Sequence, residues 1–269
     1  MASRAYAMGG AARSGSVRRW AVPATLAAGL AVALLGYRLA PSINTSPAEV
    51  VYATAAGEHR DLTLQDGSVV HLDVASNIKV RMGVSQRQIS LLAGRALFEV
   101  AHDAIRPFTV SSGGERVTAI GTRFQVERED QFVVVTLTDG SVSVAPEAAD
   151  AASQQEILQV GDQLKIKLAD GTWIKRTVDP QVATSWSHGR LIFRATPLAE
   201  ALEEVNRYAS KKVRLGDATL GELPVSGSFI AGDSGLVVSA FAAVLPVRAV
   251  DAGQEIVLFR RDEDNATQG

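Results

Sequence analysis

The chain has 269 residues, 46% of them hydrophobic, and a formal net charge of −2. That charge balance lacks the basic excess needed to neutralise phosphates, which excludes nucleic acid as an expected partner. There is no cysteine, so disulfides, thiolate nucleophiles and cysteine-based zinc sites are excluded as well.

Residues 1–19 are rich in Ala, Gly, Ser and Arg and are too short to bury a core. This composition predicts a disordered cytoplasmic segment. The next stretch, 21–37, carries no charge; Arg4, Arg13, Arg18 and Arg19 precede it, and the first acid is Glu49. Seventeen helical residues at ~1.5 Å each span about 26 Å, the lower end of what a bilayer core needs. Trp20 and Tyr37 bracket the run as aromatic residues do at the two water interfaces. Segment 20–39 therefore reads as an uncleaved anchor flanked by Arg18, Arg19, Trp20 and Tyr37. The arginines predict a cytoplasmic N-terminus in a single-pass protein of the bacterial inner membrane, its bulk periplasmic. A cleaved signal peptide shares the basic start and apolar centre. Its best cut, after Ala40, places Arg38 three residues back and Pro41 immediately after, a poor cleavage site.

Pro41 and Pro47 mark a short tether. Over residues 50–178 nearly every segment reads as a short aliphatic strand, including 68–72, 88–92, 95–100 and 132–137. Asp66-Gly67, Asp139-Gly140 and Asp170-Gly171 predict tight turns, and Gly94 is expected to separate two strands. The expectation is an all-β domain of ten or more strands.

The pattern changes after Asp179-Pro180. Residues 190–193 read as a strand, Thr196 as an N-cap and Pro197 as the first helical residue. Leu198, Leu202, Val205 and Tyr208 then line one helical face, and Lys211 and Lys212 suit the helix C-terminus. Further strands are expected at 212–215, 224–229, 247–251 and 255–260, with a helix over 235–245 capped by Asp233. Two consecutive β-α-β units over 186–260 make a small α+β module, and 261–269 is a polar tail.

Catalytic motifs do not survive inspection. Gly232-Asp-Ser-Gly235 matches the string around a serine-protease nucleophile, but here it precedes a helix and lacks a histidine partner motif. Ser76-Asn-Ile-Lys79 matches the S-x-x-K string but lies in a strand segment with no K-T-G following. His59, His71, His102 and His188 lack metal-ligand spacing, and His102-Asp103 reads as a polar turn. No cofactor, metal or enzymatic activity is expected.

Five stretches resemble the FecR domain family. They are Leu64-Gln-Asp-Gly-Ser-Val-Val-His-Leu72, Leu91-Leu-Ala-Gly-Arg-Ala-Leu-Phe-Glu-Val-Ala-His-Asp103 with Arg106-Pro-Phe-Thr-Val110, Val117-Thr-Ala-Ile-Gly-Thr-Arg-Phe-Gln-Val126, Leu137-Thr-Asp-Gly-Ser-Val-Ser-Val144 and Val160-Gly-Asp-Gln-Leu164. Residues 186–260 resemble the short N-terminal domain of secretins and TonB-dependent receptors. That likeness rests on Leu191, Phe193, Pro197-Leu198, Asn206-Arg-Tyr208 and Val225-Ser-Gly-Ser-Phe229. The resemblance implies an inner-membrane regulator of an extracytoplasmic-function sigma factor. Its periplasmic region would relay a signal from the signalling domain of a TonB-dependent outer-membrane receptor. Leu191, Phe193, Leu198, Leu202, Val225 and Phe229 are the partner-binding residues it implies. Members of the family hold the sigma factor with a cytoplasmic helical domain of about eighty residues, which residues 1–19 do not match. Sigma-factor binding is therefore expected only of a longer N-terminus. The alternative is a membrane-anchored periplasmic scaffold or secretion-associated protein.

Overall fold

The computed structural model describes residues 48–148 and 154–261, and these all fall within one compact unit. The expected anchor, Arg18, Arg19, Trp20 and Tyr37, and residues 262–269 of the tail lie outside the described residues. Among the described residues no helix is long and apolar enough to cross a membrane.

The first part contains thirteen strands: β1 (Glu49–Ala53), β2 (Arg60–Thr63), β3 (Val69–Leu72), β4 (Asn77–Met82), β5 (Arg87–Glu99), β6 (Phe108–Ser112), β7 (Glu115–Ala119), β8 (Arg123–Arg128), β9 (Phe132–Asp139), β10 (Val142–Pro146), β11 (Glu156–Leu158), β12 (Asp162–Lys167) and β13 (Trp173–Thr177). One layer runs β1-β4-β5-β6-β7-β10-β11. The other runs β2-β3-β5-β8-β9-β12-β13. Alternate residues face inward, as a pleated strand with one buried face requires. Ile78, Val80, Ile89, Val110, Val117 and Val144 of the first layer meet Leu72, Phe98, Phe124, Val126, Val135 and Ile166 of the second in one apolar cluster.

Strand β5 belongs to both layers. Gly94 does not separate two strands, as the sequence led us to expect; one thirteen-residue strand continues through it. Its first half pairs with β4 and β6, its second with β3 and β8. Gly94 makes the bend possible with φ at +78°, and a β-carbon there would lie 2.6 Å from the Ser76 α-carbon. The Ser76 hydroxyl accepts from the Arg95 amide at 2.9 Å, which fixes the bend from its concave side.

After β13 come a short helix α1 (Pro180–Ala183), a 3-10 turn (Ser185–His188), β14 (Arg190–Pro197), α2 (Leu198–Tyr208), β15 (Lys212–Leu215), a second 3-10 turn (Ala218–Glu222), β16 (Pro224–Ile230), α3 (Ser234–Val244), β17 (Val247–Asp251) and β18 (Glu255–Arg260). Asp179 caps α1 by accepting from the Gln181 and Val182 amides, and Asp233 caps α3 by accepting from Leu236. The Asp233 cap is the structural reading of the Gly-Asp-Ser-Gly string. At the end of α2, Lys212 donates to the Asn206 carbonyl at 2.5 Å.

Two expectations need correction here. Thr196 does not cap α2, because β14 runs on through Pro197 and bulges at Ala195, whose φ is +50°. The Thr196 hydroxyl instead accepts from the Arg194 amide across the bulge. The helices also do not close β-α-β units within one sheet. β14 pairs with β16, while β15, β18 and β17 form a separate three-stranded sheet. Each helix therefore crosses between sheets. The second apolar core lies between these layers, and Phe193, Phe229 and Phe241 pack together within it.

Gly94→Ala is expected to destabilise the protein by about 2 kcal/mol or more, since it adds backbone strain and a contact with immovable main chain. Urea unfolding followed by circular dichroism measures this; an unchanged midpoint would mean that the bend is not fixed as described.

Candidate functional site

Where the two cores meet, the outward face of the second β layer presents Arg95, Leu97, Gln125, Glu127 and Gln163. All five are buried, and Leu97 belongs to the second core. Arg95 is the centre of the junction. Its side chain is 4% exposed, too buried to remain charged without close partners.

The partners come from both modules. Arg95 Nε donates to Asp73 Oδ2 at 2.8 Å, within the β domain. From α2, Glu204 accepts from Nη2 at 2.7 Å and from Nη1 at 3.2 Å, a two-pronged carboxylate clamp. Tyr208, one turn on, accepts from Nη2 at 2.6 Å and donates to Asp73 Oδ1 at 2.9 Å. The guanidinium lies 4.6 Å from the Trp186 ring centroid, and Trp186 Nε1 donates to Gln125 Oε1 at 2.7 Å. Arg207 pairs with Glu127, adding a second bridge between α2 and the β domain.

Glu204, Arg207 and Tyr208 lie on successive turns of α2, so one helical face delivers all three to the sheet. Asn206 points the other way and clasps β15, donating to the Val213 carbonyl and accepting from its amide, both at 2.7 Å.

Burial acts against the Arg95 charge, but the carboxylates of Glu204, Glu127 and Asp73 outweigh it and raise the guanidinium pKa. Burial also acts to raise the Glu204 carboxyl; the Arg95 charge and hydrogen bonds, with Arg207, overcome it and hold the group below the ordinary carboxylate range. For Glu127 burial wins, and its carboxyl titrates above that range. Burial raises Tyr208, which keeps its hydroxyl proton and its role as donor.

A cleft of about 400 Å³ opens beside the junction, lined by Gln163, Arg176, Trp186, Phe193, Arg194 and Glu200 among others. Its mouth arginines are already engaged, Arg194 with Asp179 and Arg176 with the side-chain oxygen Oε1 of Gln163. The arrangement holds two bodies together and contains no nucleophile with a base.

The residues expected to bind a partner lie elsewhere. Leu191, Phe193, Leu198, Leu202 and Val225 are at most 5% exposed in the second core, and Phe229 is half-buried against it. Their side chains set the shape of the module and leave little surface to touch a partner. The structure brings them together as a core. The four histidines form no metal site, and no group of metal-ligating side chains exists among the described residues. Asp103 is a turn residue, accepting from the Ile105 and Arg106 amides and pairing with Arg106.

Arg95→Ala is expected to cost about 3–5 kcal/mol, because it leaves buried carboxylates without their cation; Arg95→Met leaves them equally unpaired and recovers only the packing of the aliphatic stem. Glu204 carries a pH signature. Its folded pKa lies below 4.5, so its contribution is present above pH 4.5 and is lost as the pH falls through the folded value. Glu204→Gln should flatten the stability profile below pH 4.5 in acid titrations at fixed urea. A profile of unchanged slope would mean that Arg95 does not depend on Glu204.

The FecR protein family model matches residues 50–143. Two crystal structures of a candidate anti-sigma factor from Parabacteroides distasonis ATCC 8503 share the fold. One aligns with a TM-score of 0.65 and 24% identity over 80% of this chain and all of its own. The other gives 0.66 and 25% over 79% of this chain and all of its own. No curated protein matches the chain. Four fifths of the chain is more than the β domain holds, so the structural likeness extends into the module beyond β13. The FecR family model thus matches the first part of the β layers built around strand β5, over residues 50–143.

Proposed function

We propose that the chain is an inner-membrane regulator of an extracytoplasmic-function sigma factor. Residues 20–39 anchor it, 50–178 form the periplasmic FecR-type domain, and 186–260 receive the signalling domain of a TonB-dependent outer-membrane receptor. The observation that carries the reading is the FecR match at 50–143, joined to a fold shared across both modules with a candidate anti-sigma factor. The role is regulatory and binding, not catalytic.

The open edge of β17 suits receptor docking. Among the described residues the strand pairs only with β18, and Arg248, Ala249, Val250 and Asp251 are exposed on it. A partner strand can add to such an edge through main-chain hydrogen bonds. Leu191, Phe193, Leu198, Leu202, Val225 and Phe229 support this surface from within.

The purified full chain should retain the receptor's periplasmic signalling domain in a pull-down, and Ala249→Pro, whose N–H faces away from β18, should weaken that binding by about tenfold or more, since proline removes an edge donor. Binding to no receptor domain would move the assignment to an anchored periplasmic scaffold. Alkaline phosphatase fused after Gly269 should be active in a bacterial host; an inactive fusion would overturn the periplasmic placement.

A further inference from the structure

The strand register places one set of loops at a single end of the β domain. Met82 of β4 is opposite Arg87 of β5, Arg87 is beside Phe108 of β6, and Phe108 is opposite Ala119 of β7. Val142 of β10 is opposite Leu158 of β11, and Glu49 of β1 is opposite Arg81. Residues 83–86, 100–107, 120–122 and 159–161 therefore emerge where the chain comes in from the 21–37 segment.

Among the described residues of the β domain, four exposed large hydrophobics lie in loops rather than strands, and all four are at this end. Val84 is 96% exposed and Ile105 92%; Ile120 and Val160 are about half exposed, at 45% and 56%. The opposite-end loops show none among the described residues.

The two most exposed side chains are held out by a built framework. Arg87, 1% exposed, pairs with Asp66 and donates to the carbonyls of Arg106, Ala101 and Asp103 at 2.6, 2.8 and 3.2 Å. Arg106 reaches across to the Gly83 carbonyl and pairs with Asp103. The loops carrying Val84 and Ile105 are thus joined through one buried cation. Their ordering is met by the fold before any partner arrives.

We infer that this end of the domain seats on the lipid surface of the bilayer, with Val84 and Ile105 entering the headgroup–acyl boundary. The inference rests on the reading of 21–37 as an anchor. Residues 38–48 between that run and β1 reach at most about 40 Å when extended, so the end where β1 begins stays near the bilayer. Tethering makes the second contact intramolecular, and a few aliphatic tips then suffice where they would not hold a free protein. Charges of both signs are interspersed at this end and most are paired, Glu49 with both Lys79 and Arg81, Asp103 with Arg106 and Glu99 with Arg123, while Asp139 is unpaired among the described residues. Such a surface fits a zwitterionic headgroup layer better than a strongly charged partner.

The absence of cysteine makes labelling unambiguous. Val84→Cys, Ile105→Cys and, at the opposite end, Gln131→Cys can each carry one environment-sensitive fluorophore on the full chain in phosphatidylcholine liposomes containing spin-labelled lipid. The expected result is flotation of all three proteins with the liposomes and loss of fluorescence at 84 and 105 but not at 131. Flotation without quenching at 84 and 105 would overturn the seating while leaving the anchor reading intact. No flotation would overturn both. Labels at 84 and 105 that escape lipid quenching, while the same cysteines left unlabelled are shielded from a polar thiol reagent in intact cells, would mark a protein contact and also overturn the inference.

Discussion

The buried guanidinium of Arg95 is the constraint on which the rest of this structure depends. A cation taken out of water must find its counter-charges nearby, and the β domain supplies one hydrogen-bonding carboxylate, Asp73, with Glu127 at 3.9 Å. The remaining acceptors, Glu204 and Tyr208, are on α2, and the aromatic face comes from Trp186. The β domain and the C-terminal module are therefore electrostatically incomplete apart. Apolar contact alone, such as Leu97 against the second core, is non-directional. The fork of a guanidinium fixes how the helix must lie on the sheet.

Much of the fold could be read from the sequence because its causes are local. Alternating aliphatics and Asp-Gly turns predict short strands, and thirteen are found before residue 178. Asp233 caps α3 through a side chain three residues from its target. What could not be read depends on distant partners. Gly94 looks like a strand break until Ser76, eighteen positions earlier, is seen filling the space a β-carbon would need. Thr196 has the chemistry of a cap, but pairing of β14 with β16 extends the strand past it. Nor does the order strand–helix–strand reveal that each helix passes from one sheet to another.

The candidate site was less legible, for an instructive reason. Family likeness drew attention to Leu191, Phe193, Leu198, Leu202, Val225 and Phe229, which are large and apolar and so belong to the core. The residues that join the modules are charged or amphipathic, and the sequence contains a signal for them. Arg95 interrupts the apolar run from Leu91 to Phe98, flanked by Gly94 and Ala96, and an arginine there must be paired. Tyr208 continues the buried face of α2, and Glu204 stands one turn before it. Only the fold shows that these residues, more than a hundred positions apart in sequence, satisfy one another.

Both arginines that organise the β domain lie on β5, with the Gly94 bend between them. Arg87 ties the loops at the end where the chain comes in, and Arg95 holds the C-terminal module. Each half of the strand is hydrogen-bonded on both sides, so neither arginine can shift along it without breaking a ladder. A load applied to the module is therefore carried by β5 as a rigid member, without a graded change in the sandwich. At the junction Arg95 is dry and clamped by Asp73, Glu204 and Tyr208. A partial opening would leave a desolvated cation with too few acceptors, so its partners hold it best when all are in place together.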